Sequence, residues 1–456
     1  MKIRNMTAGR PAGLILSVAL PLMLGNVFQQ MYTVVDTAVV GNVLGVTALA
    51  ALGASDWFNW MFLSIMQGFA QGFSIPIAQE FGADNPEALR RNIASAIRLA
   101  AILAVVLCAI ALLSITPVLA YALKTPPEIL PISRQYLTIL FAGTPIVMTY
   151  NLMAGILRSL GDGKSPLIAM VIASILNVCL DLLFVMVFHW GVAGAAIATL
   201  IGQFCSCIFC FARLRGIEII RLTRADFAPE RAVTSRLIRL SVPLAAQNAI
   251  ISIGGMILQS VVNGMGVLFI AGYTATNKLY GMLEVAATSF GYAITTYVGQ
   301  NLGAGRIDRI RSGMRSGLVM NVITSALIGA LMLIFGRQIV GIFISGEPEQ
   351  VVQSVEIAYE FLSIMSVFLP VLYILYVYRS ALQGLGDTVM PMASGIAEFI
   401  MRTGSALLLP ALIGYRGIFI AEVLAWAGAD AILIVSYYRR FHRLTAAAQM
   451  PSQDMA

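Results

Sequence analysis

The sequence has few charged residues. Only 11% of its 456 residues are Asp, Glu, Lys or Arg, whereas a typical soluble domain carries about 25%. Hydrophobic residues make up 59%. A chain of this length folded in water needs a surface with far more charge, so an ordinary soluble enzyme and a disordered protein are both excluded. The composition indicates that lipid is the solvent for most of the chain.

Cysteine and histidine are also scarce, with five and two residues. Every cysteine falls inside an apolar run, which argues against a disulfide framework, and neither His189 nor His442 has the neighbours of a catalytic or zinc site. The segment Gly161-Asp162-Gly163-Lys164-Ser165 ends like a phosphate-binding loop. It lacks the glycine that such a loop needs five residues before Gly163, where Arg158 stands. We therefore expect no cofactor and no enzymatic activity.

Apolar segments of about 20 residues, the length of a helix that crosses a bilayer, recur along the whole chain. The alternating pattern of a membrane β-barrel is absent, so the predicted fold is an all-α polytopic membrane protein. We predict twelve transmembrane helices, at about residues 14–40, 49–77, 92–117, 134–157, 166–188, 192–212, 238–262, 269–297, 315–335, 353–378, 390–411 and 417–438.

The basic residues orient these predicted spans. Of the 29 Lys and Arg residues, 23 fall on one side, among them Lys2, Arg379 and those of the stretch 213–239. Four, including Lys124, fall on the other side, and two lie inside spans. Positive residues concentrate in cytoplasmic connections, so both termini are predicted to be cytoplasmic in a bacterial inner membrane. The net charge of +7 is then a solvated cytoplasmic fringe, and no nucleic acid is expected as a partner.

The two halves of the sequence repeat. Residues 79–83 (QEFGA) match residues 300–304 (QNLGA) at an offset of 221, and Leu160-Gly161-Asp162 matches Leu385-Gly386-Asp387 at an offset of 225. Six spans per copy predict two six-helix lobes in a parallel repeat, which suits alternating access around a central cavity. The predicted boundaries are 1–212 for the first lobe, 213–237 for a basic cytoplasmic linker and 238–456 for the second lobe with a short tail.

Ionisable residues inside the predicted spans are the candidates for function, because a charge at the bilayer centre costs at least about 2.5 kcal/mol. Asn177 and Asp181 are one helical turn apart, and Asp181 and Thr199 lie equally far from the turn near Trp190. Asp36 lies in the outer half of the first span. Two carboxylates, an amide and a hydroxyl at one depth predict an oxygen-lined site for a proton or Na⁺. The alternative is that separate structural hydrogen bonds neutralise each carboxylate.

Other polar residues inside spans are candidates for a substrate cavity or a second-lobe site: Gln30, Gln203, Gln247, Asn248, Lys278, Glu284, Glu398 and Arg402. Glu398 and Arg402 are one turn apart, and a structural ion pair is the preferred interpretation for them. Pro21 interrupts the hydrogen bonding of the first span and is the predicted hinge.

With these features the sequence resembles the multidrug and toxic compound extrusion (MATE) transporters, in their bacterial drug-efflux branch. The most specific residues are the segment 272–306 and the paired Leu-Gly-Asp turns. The resemblance implies export of amphipathic, often cationic compounds in exchange for Na⁺ or H⁺. We expect a functional monomer whose partners are such small molecules and membrane lipids.

The resemblance also implies a cation-coupling site in the first lobe, at Asp36, Asn177, Asp181 and Thr199, with Asn151 as a further member. Asp36 and Asp181 are the predicted ligands if the ion is Na⁺. Some members of the family have an acidic residue in span 7, where this sequence has Gln247 and Asn248. That departure argues against a second-lobe cation site of the same type.

Two other classes of protein are the alternatives. A lipid-linked oligosaccharide flippase of the same superfamily has several basic residues in its cavity, whereas only Lys278 and Arg402 lie inside the predicted spans here. A membrane enzyme would need a catalytic constellation that we do not find, and a receptor would not explain the internal repeat.

Overall fold

The computed structural model describes residues 3–123, 125–344 and 348–449, so Lys2 and Lys124 lie outside the described part. The described residues form helices and no strand. The α-helices are α1 (Pro11–Leu44), α2 (Val46–Gly82), α3 (Pro86–Pro117), α4 (Leu130–Ala142), α5 (Thr144–Ser159), α6 (Lys164–Asp181), α7 (Gly191–Arg215), α8 (Arg231–Asn263), α9 (Val267–Gly303), α10 (Ile307–Gly341), α11 (Pro348–Gly384), α12 (Val389–Leu408), α13 (Pro410–Ile413) and α14 (Arg416–Gln449). Two π-helices (Val118–Ala122 and Leu182–Val187) and two 3₁₀ turns (Glu218–Ile220 and Arg224–Phe227) complete the elements.

These helices coincide with all twelve predicted spans, which confirms the all-α fold class. Within the described residues, ten helical spans are long and apolar enough to cross a membrane, and α4 with α5 adds an eleventh, bent by 47°. The remaining predicted span, 269–297, lies in α9 and contains Lys278 and Glu284. The bend falls at Gly143 and Pro145, and proline supplies no N–H to continue the helix.

The chain divides into two compact units. The first is made chiefly of Leu20–Ser252, and the second contains Asn5–Ala19 and the chain from Ile253 onward. The beginning of α1, up to Ala19, therefore belongs to the second unit and the rest of α1 to the first. The beginning of α8, up to Ser252, belongs to the first unit and the rest of α8 to the second. The lobe boundaries at 212 and 238 stay a prediction.

The first unit packs α2 directly against the beginning of α8. Gly68 and Gly72 lie one turn apart on α2, and a Cβ atom added to Gly72 would lie 2.3 Å from Ser241 Cα. A Cβ atom on Gly68 would lie 2.7 Å from Ala245 Cα. Small residues at this spacing let two helix backbones touch, which is how helices associate where lipid offers no hydrophobic driving force.

An aromatic stack joins three helices in the core of the second unit. The ring of Phe361 on α11 lies 4.5 Å from Phe419 on α14 and 5.1 Å from Tyr273 on α9, centroid to centroid. Phe269 extends the stack, with its ring 5.6 Å from that of Phe419. These separations fall in the range of favourable ring pairs, and the stack fixes the packing of α9, α11 and α14.

The repeated motif of residues 79–83 and 300–304 has the same structural role in each unit. In the first unit, Arg236 at the beginning of α8 donates to Glu80 Oε1 at 2.7 Å. In the second, the Met6 N–H donates to Gln300 Oε1 at 2.7 Å, and Asn301 Nδ2 donates to the Met6 carbonyl at 3.2 Å. The first copy of the motif therefore binds the beginning of α8, and the second copy binds the segment just before α1.

The paired Leu-Gly-Asp segments are turns that cap helices and not phosphate-binding loops. Gly161 and Gly386 have φ values of +76° and +77°, which favour glycine. Asp162 Oδ1 and Asp387 Oδ1 each accept a hydrogen bond from the backbone N–H three residues later, at 2.9 and 3.1 Å. Each aspartate thus satisfies a free N–H group at the start of the next helix.

The linker between α7 and α8 is fastened to α3. The Thr223 N–H donates to Asp226 at 2.7 Å, Arg90 lies 3.6 Å from the same carboxylate, and Arg98 donates to the Phe227 carbonyl at 3.0 Å. The Thr223 backbone hydrogen bond is the main cause that holds the pKa of Asp226 below its usual value. The carboxylate therefore stabilises this turn above its ordinary pKa, and the stabilisation is lost as the pH falls through the lowered pKa.

Gly72→Leu should destabilise the first unit by about 1–3 kcal/mol, because the atoms that its side chain would meet are helix backbone and cannot rotate away. Thermal unfolding of the detergent-purified protein measures the effect. Gly53→Leu on the same helix is the matched control, since no atom lies within 4 Å of a Cβ there. Equal unfolding temperatures for the two variants would contradict the close α2–α8 packing.

Candidate functional site

Small residues bring α6 and α7 together as an antiparallel pair. A Cβ atom on Gly202 would lie 3.0 Å from the Ala173 carbonyl oxygen, and the Ser206 hydroxyl donates to the Ala169 carbonyl at 2.7 Å. This register brings Thr199 of α7 to Asn177 of α6. The sequence predicts that Thr199 lies at the depth of Asp181, whereas this register places it beside Asn177, one turn earlier on α6.

Asn177 links the hydroxyl of α7 to the carboxyl group of α6. In the amide orientation that satisfies both neighbours, Asn177 Nδ2 donates to Asp181 Oδ2 at 3.1 Å, and Oδ1 accepts from the Thr199 hydroxyl at 3.2 Å. Asn177 and Asp181 are 2% and 1% exposed. The Asn177 amide therefore holds the buried carboxyl group of Asp181 in place, and Thr199 of α7 holds the amide.

Asp36 of α1 completes the cluster, because its carboxyl group lies close enough to that of Asp181 for the two to interact electrostatically. Two ionised carboxylates placed this close repel each other, and a proton or a cation between them relieves the repulsion. Oδ1 of each aspartate is buried and makes no hydrogen bond within the described part of the chain. The pair therefore has carboxyl oxygens with which to hold a shared proton or a hard cation such as Na⁺.

Two tyrosines that the sequence interpretation missed lie near the pair. Tyr32, one turn before Asp36 on α1, and Tyr136 of α4 both interact electrostatically with Asp36 and Asp181. Tyr136 also belongs to an apolar cluster that includes Val40. The spacing of Tyr32 and Asp36 was a usable signal in the sequence, whereas the approach of Tyr136 depends on how α4 packs.

The helix that carries Asp181 changes form directly after it. The α-helix α6 ends at Asp181, and Leu182–Val187 continues it as a π-helix. Such wider turns are rare and are frequent at functional sites, because they change the direction in which the following side chains point. Residues 182–187 contain no glycine or proline that would have indicated the change.

The remaining candidates of the first unit lie apart from this hydrogen-bonded chain. The Asn151 amide donates to the Val147 carbonyl of its own helix at 2.9 Å, and Asn248 donates to the Ser64 carbonyl at 2.7 Å. Asn248 thus fastens α8 to α2, a structural role. Three further glutamines that we predicted to line a cavity are buried or half-buried: Gln30, Gln203 and Gln247.

The second unit contains the predicted Glu398–Arg402 pair as part of a longer chain of charges. Arg402 donates to Glu398 Oε1 at 2.8 Å and to Glu422 Oε2 at 3.0 Å, and Arg379 donates to Glu398 Oε2 at 2.8 Å. The prediction that Arg379 lies in the solvated basic fringe is wrong, because its side chain is 9% exposed. The buried carboxylate of Glu398 holds it inside the helix bundle.

Glu284 and Lys278 lie on α9 without contacting each other in the described structure. The Tyr376 hydroxyl donates to Glu284 Oε1, which gives this half-buried carboxyl group a neutral partner from α11. Lys278 is exposed and takes part in none of the ion pairs found among the described residues. The structure therefore does not pair Lys278 with an acid on another span.

The long apolar helices define an integral membrane protein, and a carboxyl pair buried among such helices is typical of transporters. The chain belongs to the MatE family, whose model matches residues 21–183 and again residues 243–408. The two matches correspond to the two copies of the sequence repeat. The resemblance inferred from the sequence is thus confirmed, and the protein is a transporter rather than an enzyme.

Similar proteins cover nearly the whole chain. The probable multidrug resistance protein YpnP of Bacillus subtilis is 27% identical over 424 residues, which is 92% of this chain and 93% of that protein. The probable multidrug resistance protein NorM of Thermotoga maritima is 26% identical and covers 83% and 81% of the two chains. A crystal structure of MATE in complex with MaL6 has the same fold, with a TM-score of 0.90 at 24% identity over 99% of this chain and 100% of that one.

Thr199→Val should destabilise the first unit by about 0.5–1.5 kcal/mol, because it removes the hydroxyl donor of the buried Asn177 oxygen and leaves only the backbone N–H of residue 199. Thermal unfolding of the purified protein measures this loss. Thr138→Val is the matched control, since its exposed hydroxyl bonds only to the Arg134 carbonyl of its own helix at 2.7 Å. If Thr199→Val unfolds no earlier than this control, Thr199 does not support the site.

Proposed function

We propose that the protein exports amphipathic, mostly cationic organic compounds in exchange for Na⁺ or H⁺, by alternating access across the bacterial inner membrane. The observation that carries the proposal is the proximity of the carboxyl groups of Asp36 and Asp181, each of which has a buried oxygen without a hydrogen bond in the described structure. Membership of the MatE family supports the transport class, and relatives that are called multidrug resistance proteins support the cargo class.

The carboxyl pair is suited to coupling because it holds one positive charge at a time. A proton or Na⁺ between Asp36 and Asp181 relieves their mutual repulsion, and the empty pair cannot stay fully ionised in contact. The pair joins α1 to α6, so its occupancy biases how α1 packs. Entry of one elementary charge down a potential of 100 mV adds about 2.3 kcal/mol, besides any concentration gradient.

Pro21 is the proposed hinge through which α1 responds. It lies inside α1 and supplies no N–H to the carbonyl of Ser17, so the helix lacks one of its own hydrogen bonds there. A helix weakened at one point bends there at less cost than elsewhere. Both termini are cytoplasmic in this proposal, and the transporter works as a monomer.

The charges of the second unit do not favour an anionic lipid-linked cargo. Arg379 and Arg402 are the basic residues buried there in the described structure, and both are neutralised by Glu398 and Glu422. A pyrophosphate head group would have to displace these carboxylates. Drug export therefore accounts for the arrangement better than the flippase alternative.

Asp36→Asn should abolish coupled efflux, because an amide retains the shape of the carboxyl group but cannot lose a proton or balance a cation. Accumulation of a fluorescent cationic dye in cells that express the variant measures export. Asp308→Asn, at a side chain that is 76% exposed, is the matched control. Full dye export by Asp36→Asn at the expression level of the control would refute the role of the pair.

The coupling ion is identified by efflux from proteoliposomes in which a Na⁺ gradient and a pH gradient are imposed separately. If Na⁺ is the coupling ion, a Na⁺ gradient alone drives dye transport at fixed pH, and Asp181→Asn removes that response. If the ion is H⁺, the pH gradient drives transport without Na⁺. Transport that ignores both gradients would contradict cation coupling.

A further inference from the structure

The second unit contains a chain of four alternating buried charges on three helices. Arg379 of α11 bonds to Glu398 of α12, which bonds to Arg402 of the same helix, which bonds to Glu422 of α14. The backbone and side chain of each residue are together no more than 9% exposed. Two guanidinium groups and two carboxylates balance one another, so the chain is neutral as it stands.

Asp430 is a fifth ionisable residue next to this chain. It lies on α14, is 7% exposed, and interacts electrostatically with Arg379 and Glu398. Asp430 Oδ1 and Arg379 Nε are both buried, and neither makes a hydrogen bond within the described part of the chain. An acceptor of α14 and a donor of α11 are thus both unsatisfied, on two residues that interact electrostatically.

The charge balance leaves Asp430 without a cation of its own. The groups that face it from the helices packed on α14 are Arg379 and Tyr378 of α11 and Glu398 of α12. Arg379 is the one cation among them, and it already bonds to Glu398. An unpaired carboxylate buried in this way is strongly disfavoured. Asp430 must therefore either carry a proton or draw Arg379 away from Glu398.

We propose that Asp430 is a proton-operated switch that moves Arg379 between two partners. With Asp430 protonated, Arg379 bonds to Glu398, as in the structure described. When the O–H bond of the Asp430 carboxyl group breaks and the proton passes to water, the carboxylate that remains attracts the guanidinium group of Arg379. The bond from Arg379 Nη2 to Glu398 then breaks as the guanidinium group turns, and its Nε donates to Asp430. Glu398 keeps Arg402 as its partner. The bond between α11 and α12 is then replaced by a bond between α11 and α14.

This switch would act on the second unit, while the Asp36–Asp181 pair belongs to the first. Its link to the transport cycle rests on the proposed function, but the proton exchange itself does not. Proton binding by Asp430 is therefore measured on the purified protein without any substrate or ion gradient. The experiment can therefore refute proton exchange by Asp430 without refuting cation-coupled export, and the reverse also holds.

Asp430→Asn should remove one buried titrating group. Between acidic and alkaline buffer, the detergent-purified variant should take up about one proton fewer than the wild type. In an infrared difference spectrum over the same pH interval, it should lose one carboxylic acid carbonyl band. Asp308→Asn is the control, and its exposed carboxyl group contributes no band of the buried type.

Asp36→Asn is measured in parallel, and the Asp430 band should persist in it. If Asp430→Asn retains every buried carboxylic acid band of the wild type, the switch is refuted. If that variant does not fold, Asp430→Glu decides, since a glutamate keeps the carboxyl group. A carbonyl band that shifts in frequency in Asp430→Glu supports the switch, and an unchanged spectrum overturns it.

A transport measurement tests what the switch does. If Asp430 takes part in the cycle, dye efflux by proteoliposomes with Asp430→Asn should depend less steeply on pH than with the wild type. Arg379 should then stay on Glu398 at every pH. Loss of the infrared band with an unchanged pH profile of transport would overturn the coupling to the cycle while leaving the proton site in place.

Discussion

A carboxyl group buried among helices in lipid has to be neutralised by a proton, a cation or a guanidinium group, and the arrangement of this protein follows from that requirement. The two units meet it in different ways. Asp36 and Asp181 have each other, with no basic side chain in the cluster described. Glu398 instead has two guanidinium groups, from Arg379 and Arg402. The first arrangement needs an exchangeable ion and the second does not.

This difference separates the two copies of one repeat. Both copies keep the features that build the fold, such as the glycine turn before a capping aspartate and the motif that binds the start of α8 or the segment before α1. The capping aspartates and the bonds to Met6 satisfy backbone groups, which every helical membrane protein must do, and the Arg236–Glu80 pair adds a bond between side chains. The buried charges are not shared in the same way. The buried charges have therefore diverged between the copies, while the structural framework has stayed the same.

Close backbone approach makes the candidate site possible. Gly202 and Ser206 bring α7 onto α6, so that Thr199 reaches Asn177, which in turn orients Asp181. A leucine side chain at Gly202 would push the two helices apart. It would break the hydrogen bond between Thr199 and Asn177, and Asn177 would then no longer orient Asp181. Precise placement is needed because a carboxyl pair binds a proton or a small cation only while its oxygens stay in contact.

The sequence by itself determined the spans, the repeat, the family and the four residues of the carboxyl cluster. Apolar length, the rarity of buried charge and the spacing of Asn177, Asp181 and Thr199 are local properties that survive without a structure. Only the tertiary structure decided which charges meet. Arg379 looked like part of a solvated fringe, and Tyr136 and Asp430 had no visible partners, because their contacts come from helices that are distant in the sequence. Helix packing depends on the shape of whole surfaces, and a one-dimensional pattern does not record it.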